Sequence, residues 1–225
     1  MRNTIAKTAL LVTAVFLLSG CSTFEKARRT EDLEQLVTNL QYKLKQMESE
    51  KVKEVTEVAE QKDAELTELE KAKLELEESL KKEIGTYKAK LQMTERGLVI
   101  TFLSEVFFDS GKAKIRPDGK PALQKVAEVL NKEVIDSNVA IEGHTDNDPI
   151  KHSGWQSNWE LSSARSLAVL HYLIDDCKIN SKRLSANAYG QYRPVVSNDT
   201  PQNKQKNRRV EIVILPKHIN KAKLN

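Results

Sequence analysis

Ile141-Glu142-Gly143-His144-Thr145-Asp146, followed after a loop by Asn158-Trp159-Glu160-Leu161-Ser162-Ser163-Ala164-Arg165, carries more of the fold than any other stretch of this chain. Val139, Ile141 and Gly143 recur at every second position, the period of a strand. Ser157 and Glu160 have the spacing of a capping box, which predicts a helix from there to about Asp176. The strand sets Asp146 just past its end, and the helix sets Arg165 two turns in. Held in one fold, such a pair can grip a small zwitterion, Asp146 taking an ammonium and Arg165 a carboxylate. On a helical projection Arg165 falls between Val169 and Tyr172, close to Leu161, on the core-facing side. A charge there requires a partner or a solvent-filled pocket, because an unpaired buried charge is costly. From the residues alone two roles stay open: a structural salt bridge to Glu142, Asp146 or Glu160, or a ligand contact.

Working outward, Leu98-Val99-Ile100-Thr101-Phe102-Leu103 has the β-branched and aromatic content of a strand. Asp118 is placed to cap a helix from about Gly119 to Asn131, with Leu123, Val126, Ala127 and Leu130 on its apolar face and Pro121 tolerable in the first turn. Leu184 to Tyr189 and Val210 to Leu215 complete the sheet. This order predicts an α+β domain over residues 97–216, a mixed β-sheet packed with helices around its own core.

Composition differs upstream. All six prolines lie at or beyond Pro117, and from Cys21 to Arg96 there is one glycine, Gly85. That stretch favours helix residue by residue. Leu33, Leu36, Leu40, Leu44 and Met47, then Val55, Ala59, Leu66, Leu69, Leu76, Leu80, Tyr87 and Leu91, alternate in steps of three and four, the pattern of a coiled-coil seam. Lys62, Lys73 and Glu83 interrupt the seam, and its register slips near Lys51. The expectation is a short linker over 21–29 and a helical coiled-coil stalk over 30–96, forming a homo-oligomer. The other reading is a marginally stable charged helix. A continuous helix of that length would reach roughly 100 Å.

Residues 1–20 have the layout of a cleaved signal peptide: Arg2 and Lys7, the apolar run Thr8 to Leu18, then small residues before Cys21. The run is shorter than the about 20 residues a spanning helix needs. Leu18-Ser19-Gly20-Cys21 resembles the lipobox of bacterial lipoproteins, which implies acylation of Cys21. Several acyl chains give stable anchoring where one does not. Cys177 is then the remaining cysteine, read as a small buried hydrophobe, and a disulfide framework or Cys-rich zinc site is excluded. Net charge is +4, falling to +2 without Arg2 and Lys7. With no basic stripe bearing interleaved aromatics, nucleic acid is not an expected partner. Residues 217–225 read as a flexible basic tail.

Phe107-Phe108-Asp109-Ser110-Gly111, Ile141 to Asp146, Leu161-Ser162-Ser163-Ala164-Arg165, Ala188-Tyr189-Gly190 and Asn207-Arg208-Arg209-Val210-Glu211-Ile212 occur in the order found in the OmpA-like peptidoglycan-binding domain of OmpA, Pal and MotB proteins. The C-terminal half resembles that family, and Asn147-Asp148-Pro149-Ile150 with Ser157-Asn158-Trp159-Glu160 is most similar to its MotB branch. The resemblance implies that Asp146 and Arg165 hold the charged groups of diaminopimelate in the stem peptide. It also implies that Phe108, Asp109, Thr145, Asn158, Leu161 and Arg208 line the pocket or bond the peptide. The loop 147–157 is longer than in typical OmpA and Pal domains, which leaves two expectations: it covers the pocket, or it changes which stem peptides fit.

Competing classes fare worse. A stator subunit requires an acidic residue in a membrane helix, and Thr8 to Gly20 holds none. His144, Asp146 and Asp148 have a spacing that could suit a metal, but no second His or Cys cluster supplies further ligands, and no nucleophile–base set stands out, so neither a metal, a cofactor nor an enzyme is expected. A coiled-coil adaptor recruiting envelope proteins is an alternative compatible with wall binding. The sequence therefore predicts a non-enzymatic lipoprotein that tethers a membrane to peptidoglycan. Ser22, where inner-membrane retention uses Asp, points to the outer membrane, with the chain facing the periplasm.

Overall fold

The computed structural model describes residues 2–86, 88–151 and 153–217, with side chains from Arg28 onward. The expected signal segment and the Cys21 thiol lie outside the described side chains, and the tail beyond Lys217 lies outside the described residues. The chain divides into two units, Met1–Glu60 and Gln61–Asn225. Helix α1 (Arg2–Ser79) supplies all of the first unit that is described and enters the second. Among the described residues no helix is long and apolar enough to cross a membrane.

In the first unit the predicted stripe is open to solvent: Leu33, Leu36, Leu40, Leu44 and Met47 are each more than half exposed. The second unit treats the end of α1 differently. Leu69, Ala72, Leu76 and Leu80 are buried in one cluster with Leu98, Ile100, Leu123 and Leu130. Lys71 bonds Glu133 at 2.6 Å and Lys132 bonds Glu75 at 3.0 Å. The last turns of the helix thus belong to the domain core, and their heptad-like spacing serves a sheet and a helix instead of a second copy of α1.

The expected stalk over 30–96 is corrected at its C-terminal end. α1 stops at Ser79 and a short helix α2 (Lys81–Gly85) follows. Strand β1 (Ala89–Thr94) then pairs antiparallel with β2 (Gly97–Leu103). Lys90, Gln92 and Met93 favour helix by propensity, but tertiary pairing overrides so weak a preference. Glu95 and Arg96 form a two-residue hairpin turn, and Gly97, at φ +111°, takes a conformation that suits glycine.

The sheet has order β1-β2-β5-β3-β4, where β3 is Val139–His144, β4 is Leu184–Gly190 and β5 is Arg209–Ile214. β3 and β4 are parallel, joined by the crossover helix α4 (Asn158–Asp175), and the remaining pairs are antiparallel. One face, with Ile100, Phe102, Ile141 and Ile212, shares its core with α3 (Lys120–Lys132), α4 and the end of α1. Gly143 lets β3 and α4 meet: a Cβ there would collide with the Ser162 carbonyl. Ser157 caps α4 as expected, accepting from the Glu160 N–H. Asp118 does not cap α3. It forms a two-bonded pair with Arg116 at 3.0 and 2.6 Å, and Gly119 stands at the N-cap. Helix α5 (Pro201–Asn207), capped by Thr200, was not expected from periodicity because its seven residues carry no apolar side chain after Pro201. Lys217, expected to begin a free tail, bonds Glu68 at 2.6 Å. Cys177 is partly buried against the core, where burial raises its thiol pKa.

Candidate functional site

β3 delivers Thr145 and Asp146 at its end, where the Thr145 N–H donates to Gly190 O at 2.9 Å. Asp146 accepts from the Asp148 N–H at 3.1 Å, an Asx-type turn that fixes its carboxylate. Asn158, the first residue of α4, donates to Asp148 O at 2.9 Å and to Gln191 Oε1 at 3.0 Å, tying the loop to both neighbouring elements. The eight residues expected at a site (Phe108, Asp109, Thr145, Asp146, Asn158, Leu161, Arg165 and Arg208) line one cavity of about 820 Å³.

Arg165 is 4% exposed. Its Nε donates to Lys112 O at 3.0 Å and its Nη2 to Asp109 O at 3.4 Å, with the guanidinium over the Phe108 ring at 5.2 Å. Among the described residues no carboxylate bridges it, so the salt bridges to Glu142, Asp146 or Glu160 left open by the sequence do not form. Burial, and secondarily the nearby Arg208, lower its pKa to about 10, while Asp146 opposes the shift; it is a cation at neutral pH. Asp146, 5% exposed, instead pairs with Arg208 at 2.5 Å. The Arg208 side chain is 39% exposed and enters from the other rim. The cavity therefore holds one buried carboxylate and one buried guanidinium that is not neutralised, an arrangement able to bind a carboxylate by a planar fork.

The long loop also contributes. Pro149, Ile150, Lys151 and Ser153 form part of the cavity wall. Trp155 Nε1 donates to Gly111 O at 2.8 Å. The sequence pattern marks the loop and Gly111 but not their contact; the tryptophan in a loop otherwise short of large side chains is the signal that points to it. Lys204, from α5, bonds Asp148 at 2.6 Å and steadies the same rim.

A second charged group lies on the opposite face of the sheet. Glu142, His144 and Glu211 are buried there and could together approach a metal ion. Arg96 already bonds both carboxylates at 2.8 Å, and Arg209 bonds Glu211 at 2.7 Å, so two guanidinium groups supply the positive charge that a metal would bring. Burial opposes ionisation of both carboxyls, but His144 and Arg96 at Glu142, and chiefly Arg209 at Glu211, hold them below the usual range. Burial lowers the pKa of His144, whose ring stacks on Tyr189 at 5.1 Å. Both effects have the same sign. Below about pH 6.5 the unfolded chain takes up a proton that folded His144 resists, and below about pH 4.5 the carboxylates add a second loss. Arg96→Ala should therefore raise the pH of the acid-unfolding midpoint, followed by circular dichroism, and lower Tm at pH 7.

Residues 107–208 match the OmpA family. They are an OmpA family domain. Motility protein B of Bacillus subtilis (strain 168) is 43% identical over 158 residues, covering 69% of this chain and 59% of that protein. The probable lipoprotein YiaD of Escherichia coli (strain K12) is 34% identical over 119 residues, 53% of this chain and 52% of that protein. The chain thus spans little more than half the length of these curated relatives. Among solved structures, a putative MotB like protein from Desulfovibrio vulgaris superposes with TM-score 0.62 at 25% identity, covering 70% of this chain and 99% of that one. The cell wall anchor of the T6SS from Pseudomonas aeruginosa gives TM-score 0.57 at 29% identity, covering 63% and 97%. The OmpA family domain is a non-enzymatic, envelope-associated module.

Proposed function

We propose that the OmpA family domain holds peptidoglycan without covalent chemistry, its cavity taking the diaminopimelate residue of a stem peptide. Arg165 receives a carboxylate of that residue, and Asp146 receives its ammonium as Arg208 withdraws toward solvent. The supporting observation is the convergence of eight residues on one cavity around Arg165, which is buried, cationic and unbridged. Two opposite charges at fixed separation select a zwitterion over a simple acid or amine. The relative described as a cell wall anchor is consistent with this role. Co-sedimentation of the chain with purified sacculi, competed by free diaminopimelate, tests the reading; folded protein left in the supernatant would sink it.

The tether has two further parts in this proposal. Acylated Cys21 anchors the chain in the outer membrane, facing the periplasm, and α1 acts as a self-associating spacer through its exposed Leu33, Leu36, Leu40, Leu44 and Met47. Cys21→Ala should abolish labelling by a palmitate analogue and release the protein from the membrane fraction. Labelling that persists in this variant would exclude lipidation at Cys21. Capture of envelope proteins by the helix without the domain would instead favour the adaptor role.

A further inference from the structure

Three backbone carbonyls of the turn Asp109–Lys112 accept hydrogen bonds from side chains distant in sequence. Asp109 O and Lys112 O accept from Arg165, and Gly111 O accepts from Trp155. The turn is closed by Lys112 N–H to Asp109 O at 3.1 Å. Gly111 has φ +66°, and a Cβ there would lie 2.7 Å from Ser153 Cβ, so the loop is pressed directly onto the turn. The carbonyls used by Trp155 and by Arg165 Nε belong to adjacent residues. Two successive peptide units, joined at the Lys112 Cα, thus link the loop to the guanidinium.

We propose that Trp155 is a positioning residue for Arg165: its indole N–H holds the 109–112 turn in the shape whose carbonyls aim the guanidinium into the cavity. Trp155 does not need to touch the ligand. The loop 147–157 is then a support for the buried cation as well as a wall, and the carboxylate end of the ligand depends on it. The functional half of this inference rests on the proposal that the cavity binds a carboxylate-bearing ligand. The positional half does not.

The full chain would be compared with Trp155→Phe, which keeps a ring and loses the N–H, and with Gly111→Ala, which disturbs the same contact from the other side. Trp159→Phe is the control, since Trp159 stacks on Tyr192 at 5.2 Å and is not part of the cavity wall. The first readout is solvent exchange of the Arg165 Nε–H followed by nitrogen-15 NMR. The second is affinity for free diaminopimelate and for 1,5-diaminopentane, which has no carboxylate. Loss of one hydrogen bond should speed exchange and weaken diaminopimelate binding by about threefold to tenfold. The weaker binding of the diamine should hold, and Trp155→Phe should add nothing on an Arg165→Ala background. Unchanged Arg165 exchange in both variants overturns the proposal, as does a loss shared equally by the diamine or fully additive with Arg165→Ala. A wild-type chain that binds no diaminopimelate defeats the functional half together with the cavity reading, and the exchange measurement still decides the positional half.

Discussion

Arg165→Ala should weaken sacculus binding on the order of 100-fold while leaving the domain folded. The expectation follows from what the side chain touches. Its polar partners are the carbonyls of Lys112 and Asp109, in a turn that water can reach once the guanidinium is gone. No carboxylate is stranded in the core by its removal. A ligand carboxylate, by contrast, would lose a charge-assisted fork from a buried guanidinium, and such losses belong to the larger class. Arg165→Lys should fall between, because it keeps the charge and loses the planar pair of donors. Co-sedimentation and circular dichroism together decide the matter. Collapse of the dichroism signal in Arg165→Ala would show that the guanidinium is needed to build the domain. Full wall binding by the folded variant would remove it from the site.

Gly143→Ala should destabilise the domain by about 3 kcal/mol or more, lowering Tm on the order of 10 °C. The new methyl would meet the Ser162 carbonyl, which is helix backbone and has no free rotation with which to yield. β3 or α4 must move, and between them they carry Thr145, Asp146, Asn158, Leu161 and Arg165. The same substitution should therefore weaken ligand binding more than its loss of stability alone explains. A thermal melt indistinguishable from wild type would show that the strand and helix are not in the close contact described.

The division between what the sequence discloses and what it conceals has physical causes. β3, α4 and β5 are legible because burial imposes a period, and Ser157 marks the helix start with a cap. Arg165 is legible as an anomaly, a charge on a face otherwise given to Leu161, Val169 and Tyr172. β1 is hidden because its residues prefer helix and only pairing with β2 makes them a strand. The end of α1 is hidden because Leu69, Leu76 and Leu80 keep the same spacing whether they face another helix or the core under a sheet. The Arg208–Asp146 pair is hidden because each residue is expected at the site for its own sake, and no pattern says that they meet before a ligand arrives. Likewise the Arg116–Asp118 pair takes from α3 a cap that the sequence offers, since a neighbouring guanidinium binds that carboxylate at two points.

The burial of Leu69, Ala72, Leu76 and Leu80 in the domain core has a mechanical consequence. On the proposed role the chain is a tether loaded in tension, and a tether yields first at its weakest joint. Here the segment that would carry load into the domain is packed in its core and held at the C-terminal end of α3 by Lys71–Glu133 and Glu75–Lys132. Drawing that segment away would expose Leu69, Ala72, Leu76 and Leu80 together with the core residues packed against them. Rupture should then require disruption of the core itself, at the slow rate of global unfolding, so that letting go of the ligand is the gentler way for the assembly to release strain.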